Sequence, residues 1–453
     1  MTLEPGSTMH LELPIGVFAY PDTPLPAVWT FEQVPSLPAL ELAGVEEATR
    51  AAVDLLVRDA RLREGARVAV GVGSRGLDHL PEIVRVVVGR LKALGARPFL
   101  VPAMGSHGGA TAEGQQDILR GYGITPEEMG AEIVSCMETV SLGALTEEEA
   151  PGFDGQVVWC DRHAASADAV ILVNRIKPHT DFSGDLESGI AKMCAIGLGK
   201  RDGASAIHAH GAHGLRHLMG PVARRMASRI PLLGGVALIE NEQGRTSEIH
   251  GLCAGDVAGA RERELVIRAR GLAPSLPFPA IDVLVVDLMG KDISGTGLDT
   301  HVIGRAHMPS IREETWGGPA VRVLAVLDLT PVSHGNALGL GLADLTTRRL
   351  VEKVDWRATF INLQTSREGG VLRGRIPWIL PDAESCVRAA VATCGRSDPA
   401  QVRLVRVRDT AHVQWLEVSQ ALLPEALQAS GRLEPREVSH PLDPARPLGG
   451  LDP

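Results

Sequence analysis

The chain has 453 residues, 44% of them hydrophobic and 22% charged, with a formal net charge of −10. That composition excludes a largely disordered protein. The acidic surplus, the 3% aromatic content and the lack of any basic run of five disfavour nucleic acid and anionic membrane as partners. No 18-residue apolar run occurs, so no membrane span is expected. The opening stretch MTLEPGSTMHLELPIGV lacks the basic and then apolar pattern of a secretion signal. Six well-separated cysteines form no CxxC pair. A cytoplasmic location with reduced thiols is the expectation.

In chain order, RVAVGV at Arg67–Val72 predicts a buried strand, and the spacing of Ile83, Val84, Val87 and Leu91 predicts a helix over Pro81–Leu94. A strand at Arg97–Met104 and a helix at Thr111–Gly121, capped by Thr111, follow. Ala167–Val173 and Gly235–Ile239 read as further strands. The stretch LAPSLPFPA is the linker candidate, because proline neither continues a helix nor donates to a sheet. Beyond it, strands are expected at Ile281–Leu288, Val321–Leu327, Ala358–Leu363 and Val402–Val407, with helices at Gly339–Val354 and Ala383–Cys394. The fold class is therefore α/β: two α/β domains with mainly parallel sheets. Residues 1–272 form the first, 273–280 the linker, 281–429 the second and 430–453 an irregular tail.

The residues able to do chemistry sit in loops after predicted strands, where ligands of parallel sheets bind. Gly73-Ser74-Arg75-Gly76 follows the first strand, and the planar fork of Arg75 suits a carboxylate or phosphate. His107 stands between glycines in GSHGG after the second strand and is a candidate general base. NRIKPHTDFSGDLE follows the strand ending at Val173 and carries His179. IHAHGAHGLRHLM holds His208, His210, His213 and His217; His213 and His217 would share a helix face and could ligate one metal. In the second domain, Lys291 in GKDISGTGLD could hold an anionic substrate.

From about Val70 to Leu218 the chain resembles the nickel-dependent lactate racemase superfamily, as a divergent branch. GSHGG at 105–109 looks like that family's strand-end G[ST]H loop, and PHTDFSG at 178–184 is similar to its PHxxAG[FY]SGG segment, shortened by two residues. The resemblance implies two α/β domains with a cleft between them and a nickel-pincer nucleotide as cofactor. It implies a racemase or epimerase of a small-molecule 2-hydroxy acid, with His107 and His179 as opposed bases. Arg75 would grip the carboxylate, and His208 would hold nickel. Ser183, Gly184 and Glu187 would lie along the cofactor segment. Glu187 stands where the racemases carry the lysine that links the cofactor, and Lys192 is displaced by about a helical turn. A non-covalently held cofactor is therefore expected. Two alternatives remain: a metal-dependent hydrolase on the His208–His217 cluster, and a non-catalytic binder of a nucleotide or cofactor. The oligomeric state is not readable from the sequence.

Overall fold

Largely continuous apolar runs, rather than alternating ones, build the parallel strands at the centre of the sheets, as expected where both faces of a parallel sheet are covered. The computed structural model describes residues 20–60, 62–309, 311, 316–365, 368–429, 431–446 and 448. It is a mixed α/β fold with two large, mainly parallel sheets. The chain divides into two compact units, Pro35–Ser275, and Met1–Val34 together with Leu276–Pro453. Among the described residues no helix is long and apolar enough to cross a membrane.

The first strand, β1 (Ala27–Gln33), belongs to the second of these units. The Pro35–Ser275 unit holds β2 (Arg67–Val72), β3 (Arg97–Pro102), β4 (Thr139–Ala144), β5 (Val157–Asp161), β6 (Ala169–Arg175), β7 (Leu232–Glu240) and β8 (Thr246–Cys253). Five of these form one sheet in the order β3-β2-β6-β7-β8, parallel except for β8, while β4 and β5 make a separate antiparallel pair. Val70 lies in register with Leu100 on one side and Ile171 on the other. Helix Leu80–Ala93 has Pro81 in its first turn, Glu82 near its positive end, and Arg90 and Lys92 at its negative end. Its buried stripe Ile83, Val84, Val87 and Leu91 shares a core with Val68, Val70 and Val72 of β2 and with Val45, Val53 and Leu56 of helix Leu42–Val57. Burying each such side chain contributes about 1.5–3 kcal/mol.

The other unit adds β9 (Ala280–Met289), β10 (Ala320–Leu329), β11 (Leu345–Thr347), β12 (Trp378–Leu380), β13 (Leu404–Val407), β14 (Trp415–Ser419) and β15 (Leu433–Pro441). Their order is β12-β11-β10-β9-β13-β14-β1-β15, parallel from β12 to β13 and antiparallel beyond.

Several local expectations differ from this structure. Ala358–Leu363 lies in a helix, Trp356–Thr365, because the Asp355 carboxylate accepts the Ala358 N–H at 3.0 Å and starts a helical turn there. Gly339–Val354 contains a short 3₁₀ turn, then β11, then helix Arg348–Glu352 capped by Thr347. The stretch expected to be irregular after residue 429 contains β15. Among the described residues it pairs only with β1, and most of its residues are exposed, so no apolar pattern marks it, and its prolines are tolerated at a sheet edge. Residues 20–34 group with the later unit through β1, whose pairing to β14 and β15 spans almost the whole chain.

Candidate functional site

Three adjacent parallel strands, β3, β2 and β6, end on one edge of the sheet. The chain passes from β2 outward to β3 and then returns to β6 on the other side of β2. In open α/β sheets such a reversal marks the place, outside the carboxyl ends of the strands, where ligands bind. Arg75 follows β2, His107 follows β3, and His179 follows β6.

The first two loops are tied together. The Ser74 hydroxyl is hydrogen-bonded to Nδ1 of His107, and the Tyr122 hydroxyl donates to the Ser74 carbonyl at 2.9 Å. The His107 loop is held from below. Nε2 of Gln115 donates to the carbonyls of Gly105 (2.9 Å) and His107 (3.2 Å). Lys200 is fully buried; its ammonium donates to the Pro102 carbonyl and Gln115 Oε1 and lies 3.2 Å from the Asp161 carboxylate. Asp161 also accepts the N–H groups of His163 and Ala164. Gly108 is left-handed, with φ +66, and lies against the backbone of Gly114.

The β6 loop is organised by Glu187. This buried carboxylate accepts the N–H of His179 at 2.9 Å and of Gly184 at 2.8 Å, and pairs with Arg270 at 2.6 Å. Ser183 is exposed, and its carbonyl accepts from Arg216. The Gly184 carbonyl accepts from Arg270. The Ser183–Glu187 turn is therefore fastened through its backbone, and Glu187 acts as its brace. Nδ1 of His179 accepts the Asp181 N–H at 3.1 Å, so the neutral ring carries its proton on Nε2.

Lys192 ends helix Ile190–Lys192, immediately before a π-helical turn at Met193–Leu198. Such turns are frequent at functional sites. Burial, then the positive charges of Arg75 and Lys177, lower its ammonium from 10.5 to about 8, against the opposing pull of Asp181. His179 is held well below its ordinary value by burial first, then by Lys192, with smaller contributions from Lys177 and His208. It is neutral at pH 7. Arg75 reaches solvent, yet enough protein surrounds its guanidinium that desolvation lowers it, with Arg175 adding a like charge. Arg75, Lys177, His179, Lys192 and His208 thus form one electrostatic group, with Asp181 as the acid acting on it. Excess positive charge around a partly desolvated centre favours an anion.

His208 is exposed at the end of helix Lys200–His208. His210 pairs with Gln156 Oε1 at 3.3 Å. His213 and His217 are neighbours on the next helix, with ring centres 4.5 Å apart. Among the described residues no group of three or more His, Cys, Asp or Glu side chains could hold a metal ion, so the hydrolase alternative gains no third ligand. Lys291 belongs to the other unit, where its ammonium donates to the Gly295 carbonyl and its N–H to Ser333 Oγ.

Sequence reading brings forward Arg75, His107, His179 and His208, with Lys192 noted close to the cofactor segment, and the fold adds Ser74, Gln115 and Lys200. Ser74 was visible inside the Gly73–Gly76 turn. The others carry no local signal, because tertiary packing alone brings them to the loops. Comparison of the chain with protein-family models, with curated proteins and with solved structures gave no match.

Proposed function

We propose that the Pro35–Ser275 unit binds an anionic 2-hydroxy acid and inverts its C2 centre with a nickel-pincer nucleotide. The observation that carries this reading is the convergence of Arg75, His107, His179 and Lys192 at one sheet edge with net positive charge. When bound, the nickel-pincer nucleotide would supply the acceptor and later donor of the C2 hydride.

The residues present fit that group. Cationic Arg75, Lys177 and Lys192 suit its phosphate and the substrate carboxylate. His208, coupled electrically to His179, would ligate nickel. Lys192 is the amine that the fold brings to the cluster. At about 8, its pKa leaves an appreciable neutral fraction near pH 7–8, so it is a nucleophile available for a covalent link. Glu187, fully engaged by two backbone N–H groups and Arg270, leaves that role to Lys192.

Arg75 orients the carboxylate through two parallel hydrogen bonds. His107 takes the hydroxyl proton at Nε2 when Nδ1 donates to Ser74. His179 serves the opposite face, and to accept a proton at Nε2 it must release the Asp181 N–H. The test is to produce the chain with the cofactor-synthesis enzymes, assay nickel and the absorbance spectrum, and offer single enantiomers of a 2-hydroxy-acid panel. Bound nickel and interconversion of enantiomers are expected. Absence of both overturns the reading.

A further inference from the structure

The helix Gly211–Arg229 carries two exposed histidines four residues apart, His213 and His217. That spacing puts them one above the other on a single face. Their ring centres are 4.5 Å apart, with the planes at 52°. With metal–nitrogen bonds of about 2.0–2.1 Å, two imidazoles on neighbouring positions of one ion have ring centres about 4.5–5 Å apart. The ring centres therefore lie at a separation that two imidazoles on one ion would also have.

One of the two rings is also held in place. Phe153 stacks on His213, with centres 5.3 Å apart and planes at 27°. Phe153 and His210 meet in a T-shaped arrangement with centres 5.0 Å apart, and His210 is engaged by Gln156. Arg216, between the two histidines in sequence, is turned onto the Ser183 carbonyl. A ring fixed by packing loses less freedom on binding than a free one.

We propose that His213 and His217 form a surface site for one divalent transition-metal ion, separate from the cluster around His179. Two imidazoles and no carboxylate select copper, nickel or zinc over magnesium or calcium. No grouping of three donors occurs among the described residues, so water completes the coordination and the ion stays exchangeable. An open, exchangeable site suits capture of an ion from solution rather than support of the fold.

The test uses the untagged full chain, titrated with copper(II), nickel(II) and magnesium(II) by calorimetry, with electron paramagnetic resonance for copper. Expected is one site that takes copper more tightly than nickel, ignores magnesium and shows imidazole nitrogen coupling. His213→Ala and His217→Ala should each weaken it by at least about tenfold. His210→Ala should leave it unchanged, and all three variants should melt like the parent because the side chains are exposed. A His208→Ala background keeps this site distinct from the proposed nickel ligand. Undiminished copper and nickel binding in the His213→Ala/His217→Ala double variant overturns the proposal. Loss of binding in His210→Ala with retention in His217→Ala does the same.

Discussion

Lys192 offers a reading at the residue scale with two opposite signs. Its folded value of about 8 lies below the ordinary 10.5. Between those values the folded chain has released a proton that the unfolded chain still holds, so this group makes stability rise with pH across that window. Over the same window the site loses a positive charge, so its affinity for an anion such as oxalate should fall as pH passes about 8. Lys192→Met keeps the apolar stem and removes the titration. Both pH trends should flatten in this variant, followed by thermal melts and by oxalate titration from pH 7 to 10. The neighbouring groups give sharper tests of chemistry. His107→Ala should slow enantiomer interconversion by about 10²–10⁴-fold. Arg75→Lys retains the charge but loses the two-pronged fork, so kcat/KM should fall clearly. Wild-type kinetics in either variant would return that residue to the status of a solvated loop side chain.

Among the elements, the His107 loop depends on two glycines with different surroundings. Gly108, at φ +66, would place a Cβ 2.5 Å from the Gly114 carbonyl carbon, whereas Gly109, at φ +64, opens onto free space. Gly109→Ala should therefore cost only the left-handed penalty of about 1–2 kcal/mol. Gly108→Ala must also push two backbone segments apart, and should lower Tm further and perturb the His107 ring signals in NMR spectra. Equal effects of the two substitutions would show that the loop yields freely. The strands beneath this loop were legible because Arg67–Val72 and Arg97–Pro102 are unbroken apolar runs ending in glycine-rich turns. What braces the loop was not legible. Gln115 and Lys200 lie 85 positions apart and meet only because helix Ala112–Gly121 and helix Lys200–His208 both pack against the end of β3. The neighbourhood of Lys192 was not legible for a related reason: linear spacing after Gly184 leads to Glu187, and only the folded turn brings Lys192 within electrostatic reach of Arg75 and His179.

At the scale of the whole chain, the βαβ rhythm announces α/β architecture, but strand pairing between the two ends of the sequence leaves no local trace. Val28 and Phe31 of β1 are buried in the cores of the later unit, at 0% and 1% exposure, beside residues from β9 to β14. The core cluster around β2 in the Pro35–Ser275 unit, drawn from residues between Val45 and Leu238, has no member in common with these among the described residues. A cavity made in one core should therefore loosen that unit first. Phe31→Ala removes a buried ring from the β14–β1–β15 edge and should cost about 3–5 kcal/mol there. Hydrogen exchange followed by mass spectrometry reads the two units separately. Peptides from β13, β14 and β15 should lose protection, while those from β2, β3 and β6 keep theirs. Equal loss in both sets would mean that the chain unfolds as a single cooperative block, with β1 holding both units rather than one.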